Sequence, residues 1–295
     1  MRLPTRSSLE GFAAPALGFV VGLVLVFTYS HRAAPLRLVW APLGVALSTT
    51  AGAVFTYGRR RWTELRELCA RNPVRVSDVY VPVGAIEIGA IAIVDVTSLF
   101  YGTAREDWRG GALVTFALVL AVPAAGVMFG VRHAASDKSL SGGPGGLVAL
   151  LVALRRLLER VLAAVGALVA LSTLQAGALM DLEQSVRPQL GTRPPQYILV
   201  FGGFGSFLAG LVYVPAWAAL RDRGLKLCDE LFSMEDLDKP TEDLDKGQAI
   251  VSRAGDRQKL EQILGVDRNV LADLQTGLAI LAPLLASAAA AFLPH

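Results

Sequence analysis

Charge is scarce in this chain. Asp, Glu, Lys and Arg make up 18% of its 295 residues, against about 25% in soluble domains. Apolar residues reach 53% and mean hydropathy is +0.49. That combination excludes an ordinary soluble globule and points to a membrane protein. Cysteine is nearly absent. Cys69 and Cys228 stand alone among charged residues, without CxxC spacing, which excludes a disulfide framework and a cysteine zinc site. The three histidines, His31, His133 and His295, have no second His or Cys at ligand spacing, so no metal site is expected. No serine stands with a histidine and an acid in a recognisable arrangement. No cofactor is expected, and the chain reads as a non-enzyme. Internal repeats are also missing, which argues against an inverted-repeat transporter.

What the chain does have is long apolar runs. A span needs about 20 predominantly apolar residues, and seven runs qualify: 12–29, 38–57, 79–100, 111–131, 161–180, 197–219 and 270–293. The expected fold class is an all-α polytopic membrane protein, with about seven transmembrane helices and a small cytoplasmic helical subdomain. The chain divides into hairpins at 1–57, 79–131 and 161–219, and a C-terminal span in 269–295. Cytoplasmic segments at 58–78, 132–160 and 220–268 separate them. With the N-terminus inside, 22 of the 28 basic residues fall on the cytoplasmic side. Lys and Arg mark the cytoplasmic face of membrane proteins. The expected location is therefore the inner (plasma) membrane, N-terminus inside, and seven spans would leave the C-terminus outside. The net charge of +3 follows from that topology and calls for no nucleic-acid partner.

The cytoplasmic segments carry helical patterns. "RRRWTELRELCARN" puts Trp62, Leu65, Leu68 and Cys69 on one face. "RDRGLKLCDELF" does so with Leu220, Leu227, Cys228 and Leu231, and "GDRQKLEQILG" with Leu260, Ile263 and Leu264. Leu147 to Leu154 reads as a helix in that subdomain or on the membrane surface. Arg155, Arg156 and Arg160 would then lie at headgroup level, where their stems can snorkel and contact anionic lipid.

"GGFGSFLAG" looks like a nucleotide loop, but it lies in a membrane-length run with no preceding strand. Gly202, Ser206 and Gly210 instead share a helix face, as do Ala282, Ala286 and Ala290. Small residues at that spacing allow close helix approach, either within the chain or between copies in a homo-oligomer. Pro215 and Pro283 lie inside apolar runs, where proline removes a backbone donor and kinks a helix.

The most informative stretch is "VPVGAIEIGAIAIVDVTSLF". Glu87 and Asp95 are eight residues apart, about 12 Å along a helix and about 80° around it. An acid at bilayer depth costs a few kcal/mol and commonly marks an ion or proton path; the competing reading is a structural hydrogen bond. Ser48, Thr49, Thr50, Ser172, Thr173 and Gln175 are the other polar residues at comparable depth. With Glu87 and Asp95 they define a candidate path, and an oligomeric ion-conducting protein is the leading expectation. A coupled transporter and a non-transporting scaffold or effector are the alternatives. For the topology, a cysteine introduced at Gly191 is expected to label from outside intact cells and one at Ser139 to stay protected; the reverse pattern would refute it.

Overall fold

The computed structural model describes residues 6–28, 37–70, 73–100, 108–137, 143–186, 196–232 and 244–266. Among them there are seven helices and no strand: α1 (Arg6–Phe27), α2 (Arg37–Leu68), α3 (Val76–Phe100), α4 (Trp108–Ser136), α5 (Pro144–Val186), α6 (Gln196–Leu231) and α7 (Leu244–Leu264). In lipid every backbone donor and acceptor must be satisfied within the segment, which an uninterrupted helix achieves. Five helices are long and apolar enough to cross a membrane, over Leu38–Leu68, Val76–Val94, Trp108–Ser136, Pro144–Gln184 and Val200–Leu231. α1 contributes a shorter apolar stretch, Gly11–Phe27. Among the described residues, the expected spans are met by these five helices and this shorter one. The run 270–293, with Ala282, Pro283, Ala286 and Ala290, lies outside the described residues.

α4 is the centre of the bundle. It packs against α1, α2, α3, α5 and α6 and buries residues around its whole circumference, including Leu113, Val114, Ala121, Ala124, Val127, Met128 and Val131. A helix apolar all round is one enclosed by neighbours. Small residues set the closest crossings. A methyl group added to Gly18 would lie 2.8 Å from the Ser48 carbonyl carbon, and one on Gly52 2.6 Å from that of Ala14, so α1 and α2 touch backbone to backbone. Gly58 meets α4 the same way, its added methyl falling 2.6 Å from the Ala124 nitrogen.

α5 is longer than its apolar run required. It has 43 residues, about 65 Å at 1.5 Å per residue and roughly twice the hydrocarbon thickness. Leu147 to Leu154 belong to this single helix. Leu147 and Leu151 pack with Leu227 and Cys228 of α6 and with Leu264 and Val266 at the end of α7. The last turn of α7 closes in a Schellman motif. The Val266 N–H donates to the Glu261 carbonyl at 2.9 Å and the Gly265 N–H to that of Gln262 at 3.0 Å. Gly265 has φ 63°, the left-handed conformation that glycine adopts without a Cβ penalty.

The apolar faces expected on these three segments are buried in part. Leu65, Cys69, Leu227, Cys228 and Leu264 are buried, but Leu68, Leu231 and Ile263 are exposed. Each face is narrower than its pattern, because α2, α6 and α7 bury one stripe each and leave the rest to solvent. Burial raises the Cys69 thiol above its ordinary pKa, and the Asp137 charge pushes in the same direction.

The glycine crossings generate a prediction. Gly52→Val is expected to cost about 1–3 kcal/mol by overpacking, because backbone cannot move aside as a side chain can. Gly210→Ala, where an added methyl meets nothing within 4 Å, is expected to leave the detergent melting midpoint nearly unchanged. Equal midpoints for the two variants would refute the close crossing.

Candidate functional site: a cleft at Glu87

α3 is the least enclosed of the central helices. It packs along α4 and makes no extended contact with α5 or α6. It also touches α2 where Trp62 and Tyr80 meet edge to face, ring centroids 5.2 Å apart. Val81 and Ile88 on its outer side are exposed, which suits lipid contact. Between α3 and α6, over a floor of α4 and α5, lies a cleft of about 90 Å³. α3 lines it with Ile86, Glu87, Ala90 and Val94, and α6 with Phe201, Phe204, Gly205, Leu208, Ala209 and Val212.

The walls are apolar apart from two side chains, Glu87 and Ser172. The Ser172 hydroxyl donates to the Leu168 carbonyl one turn back, at 2.9 Å. Glu87 has no such arrangement: its Oε2 is buried and has no hydrogen-bond partner among the described residues. A buried polar atom without a partner calls for an explanation, since leaving it unpaired costs about 1–3 kcal/mol and more when charged.

The remaining candidate path residues are dispersed. Ser48 faces α1 beside Gly22, and its hydroxyl approaches the Gly44 and Val45 carbonyls at 3.0 Å each. Thr49 donates to the Val45 carbonyl at 2.7 Å, and Thr50 is half-buried on the same helix. Thr173 donates to the Val169 carbonyl at 2.9 Å. Gln175 is buried opposite Gly110 of α4, and neither of its amide atoms has a partner among the described residues. Ser172 therefore joins Glu87 in the cleft, while Ser48–Thr50 do not line it and Gln175 lies inside the bundle. Asp95 follows Val94 on α3; its side chain lies outside the described ones.

On α6, Gly202 and Ser206 are buried and Gly210 faces open space. The glycine that meets α5 is Gly205, whose added methyl would run into Val169. Pro215 is half-buried and α6 continues through it. Arg155 donates to the Leu264 carbonyl at 2.6 Å and to Glu159 at 3.0 Å, holding the end of α7, while Arg156 and Arg160 are exposed. Periodicity could not reveal the cleft walls Phe201, Phe204 and Leu208. They lie in a predominantly apolar run, and only the packing of α6 on α4 and α5 selects the side that faces Glu87.

The described residues form an all-helical bundle with five helices long and apolar enough to cross a membrane, compatible with a multi-pass membrane protein, and the cleft between them is apolar apart from one acid and one hydroxyl. No protein family, curated protein or solved structure matches the chain.

If the cleft is unfilled space, enlarging a side chain there costs little. Ala90→Leu, at the cleft wall, is expected to change stability by less than about 1 kcal/mol. Ala124→Leu, fully buried beneath Gly58, is expected to cost about 1–3 kcal/mol. Equal losses of melting temperature would mean that the cleft is closed.

Proposed function

We propose that the protein is a membrane carrier for a cation, with Glu87 as the group that binds it. The observation behind this reading is the unpaired carboxylate oxygen in a cleft at bilayer depth. Acids at that depth face a bundle interior or water and serve ion or proton pathways. The cleft is bounded on one side by α3, the least buried of the five spanning helices, so α3 is the element able to move during an access change. A carrier fits better than a pore within one chain, because Ser48 faces α1 and no residue of α2 lines the cleft with Glu87. The carrier would act without an enzymatic step, in an inner membrane, with its arginine-rich segments in the cytoplasm and Arg156 and Arg160 near anionic headgroups. A pore shared between copies is the second reading. It draws on the outer face of α6, where Phe207, Leu211 and Val214 are exposed beside the open side of Gly210.

Flux into liposomes tests both readings. Glu87→Gln keeps the shape and removes the charge. It is expected to lower cation-coupled flux about tenfold or more, the loss of one charged hydrogen bond. Asp95→Asn, closer to the interface, is expected to change it less. Wild-type protein that moves no cation at any pH or potential would refute carrier and pore alike and leave a scaffold or effector role.

A further inference from the structure

We infer that the cleft takes an amphiphilic monocation, an organic molecule with one positive head and an apolar body, entering sideways from the bilayer between α3 and α6. This rests on the carrier reading and names its substrate class.

The walls exclude other cations on chemical grounds. A bare metal ion needs several oxygens to replace its hydration shell. Here one carboxylate is present, and the single hydroxyl, Ser172, already donates to its own helix. A dication would leave a charge unpaired in an apolar site, which is costly. A single ammonium with hydrocarbon attached matches both halves of the cleft. The head meets Glu87 Oε2 in a charge-assisted hydrogen bond, and Phe201 and Phe204 on α6 offer aromatic faces that attract a desolvated cation. The body replaces lipid against Ile86, Val94 and Leu208.

The route follows from the packing. α4 and α5 close the back of the cleft, while α3 and α6 flank it without extended contact. Both flanking helices are apolar enough to span the membrane, so the gap between them opens to the acyl chains. The volume of about 90 Å³ is smaller than the few hundred Å³ that enclose a drug-sized molecule. The site therefore holds the head and a few methylenes, and the rest of the molecule stays in lipid. Among the lining residues from α3, α4, α5 and α6, Glu87 is the only ionisable one, so proton and ligand compete for a single oxygen pair.

Binding is measured on the full chain in phosphatidylcholine nanodiscs, with empty nanodiscs as background. The probes are a fluorescent alkylammonium and a fluorescent alkyl alcohol of equal length. The ammonium is expected to bind saturably, and about tenfold or more weaker to Glu87→Gln. The alcohol is expected to bind weakly to both. Ala90→Leu, which keeps the acid and fills the cleft, is expected to weaken ammonium binding as well. Ammonium binding that is absent from wild type, or unchanged in both variants, would overturn the inference. Glu87-dependent proton or sodium flux without ammonium binding would overturn it and leave the carrier standing. Glu87-dependent binding without any flux would uphold the ligand class and remove the carrier. A disulfide between cysteines at Ala90 and Ile280 that abolishes binding would give the cleft to the chain's own C-terminal run and overturn it too.

Discussion

The enclosure of α4 is the interaction on which the bundle depends. Between helices in lipid there is no hydrophobic drive to associate, because the acyl chains are as apolar as the side chains; close packing has to replace it. α4 supplies that packing on every side, and α2 reaches it at Gly58, over the peptide joining Pro123 and Ala124. α1 joins through α2, where Gly18, Gly22 and Gly52 bring the two backbones together. α3 joins through α4 with little other support. The helix bearing the acid is thus the least buried of the five spanning helices.

The part of the protein beyond the apolar spans is an extension of the same helices. α5 and α6 continue past their apolar lengths, and α7 docks across them. Its docking is specified twice. Gly265 turns the chain in the left-handed conformation, and the absence of a side chain there leaves room for Arg155, which donates to the Leu264 carbonyl at the end of α7. Arg257 then ties α7 back to α6 through Asp229 at 2.7 Å, and to its own helix through Glu261 at 2.8 Å. These pairs are partly exposed and contribute modestly; the buried contacts of Leu264 and Val266 with Leu147, Leu227 and Cys228 carry more of the docking. An arginine that looked like a lipid contact from its place beside an apolar run is instead a helix cap.

Glu87 and Ser172 show why hydroxyls and acids behave differently at bilayer depth. A serine or threonine in a helix can donate to the carbonyl one turn back and so satisfy itself, as Ser48, Thr49, Ser172 and Thr173 do. Such residues need no polar neighbour and mark no path. A carboxylate has no donor for its own backbone carbonyls when ionised, so it needs a partner from elsewhere. That asymmetry separates Glu87 from the self-satisfied hydroxyls of Ser48, Thr49, Ser172 and Thr173.

The sequence by itself determined the class: helices, apolar runs long enough to span, and the place of two acids, Glu87 and Asp95, inside such a run. These follow from local composition, because length and hydropathy alone decide whether a segment can cross a bilayer. It also determined that small residues would mediate close approach, though not which ones. Gly205 is in contact with α5, while Gly210, in the same motif, faces open space. Tertiary structure decided the remainder. It joined Leu147–Leu154 and the fifth span into one helix, left Ser48–Thr50 out of the cleft that holds Glu87, and brought Phe201 and Phe204 into its walls. In a segment apolar on every side, periodicity does not say which face meets a neighbour. That choice depends on shape complementarity between helices distant in the chain, and a single helix contains no record of its partners.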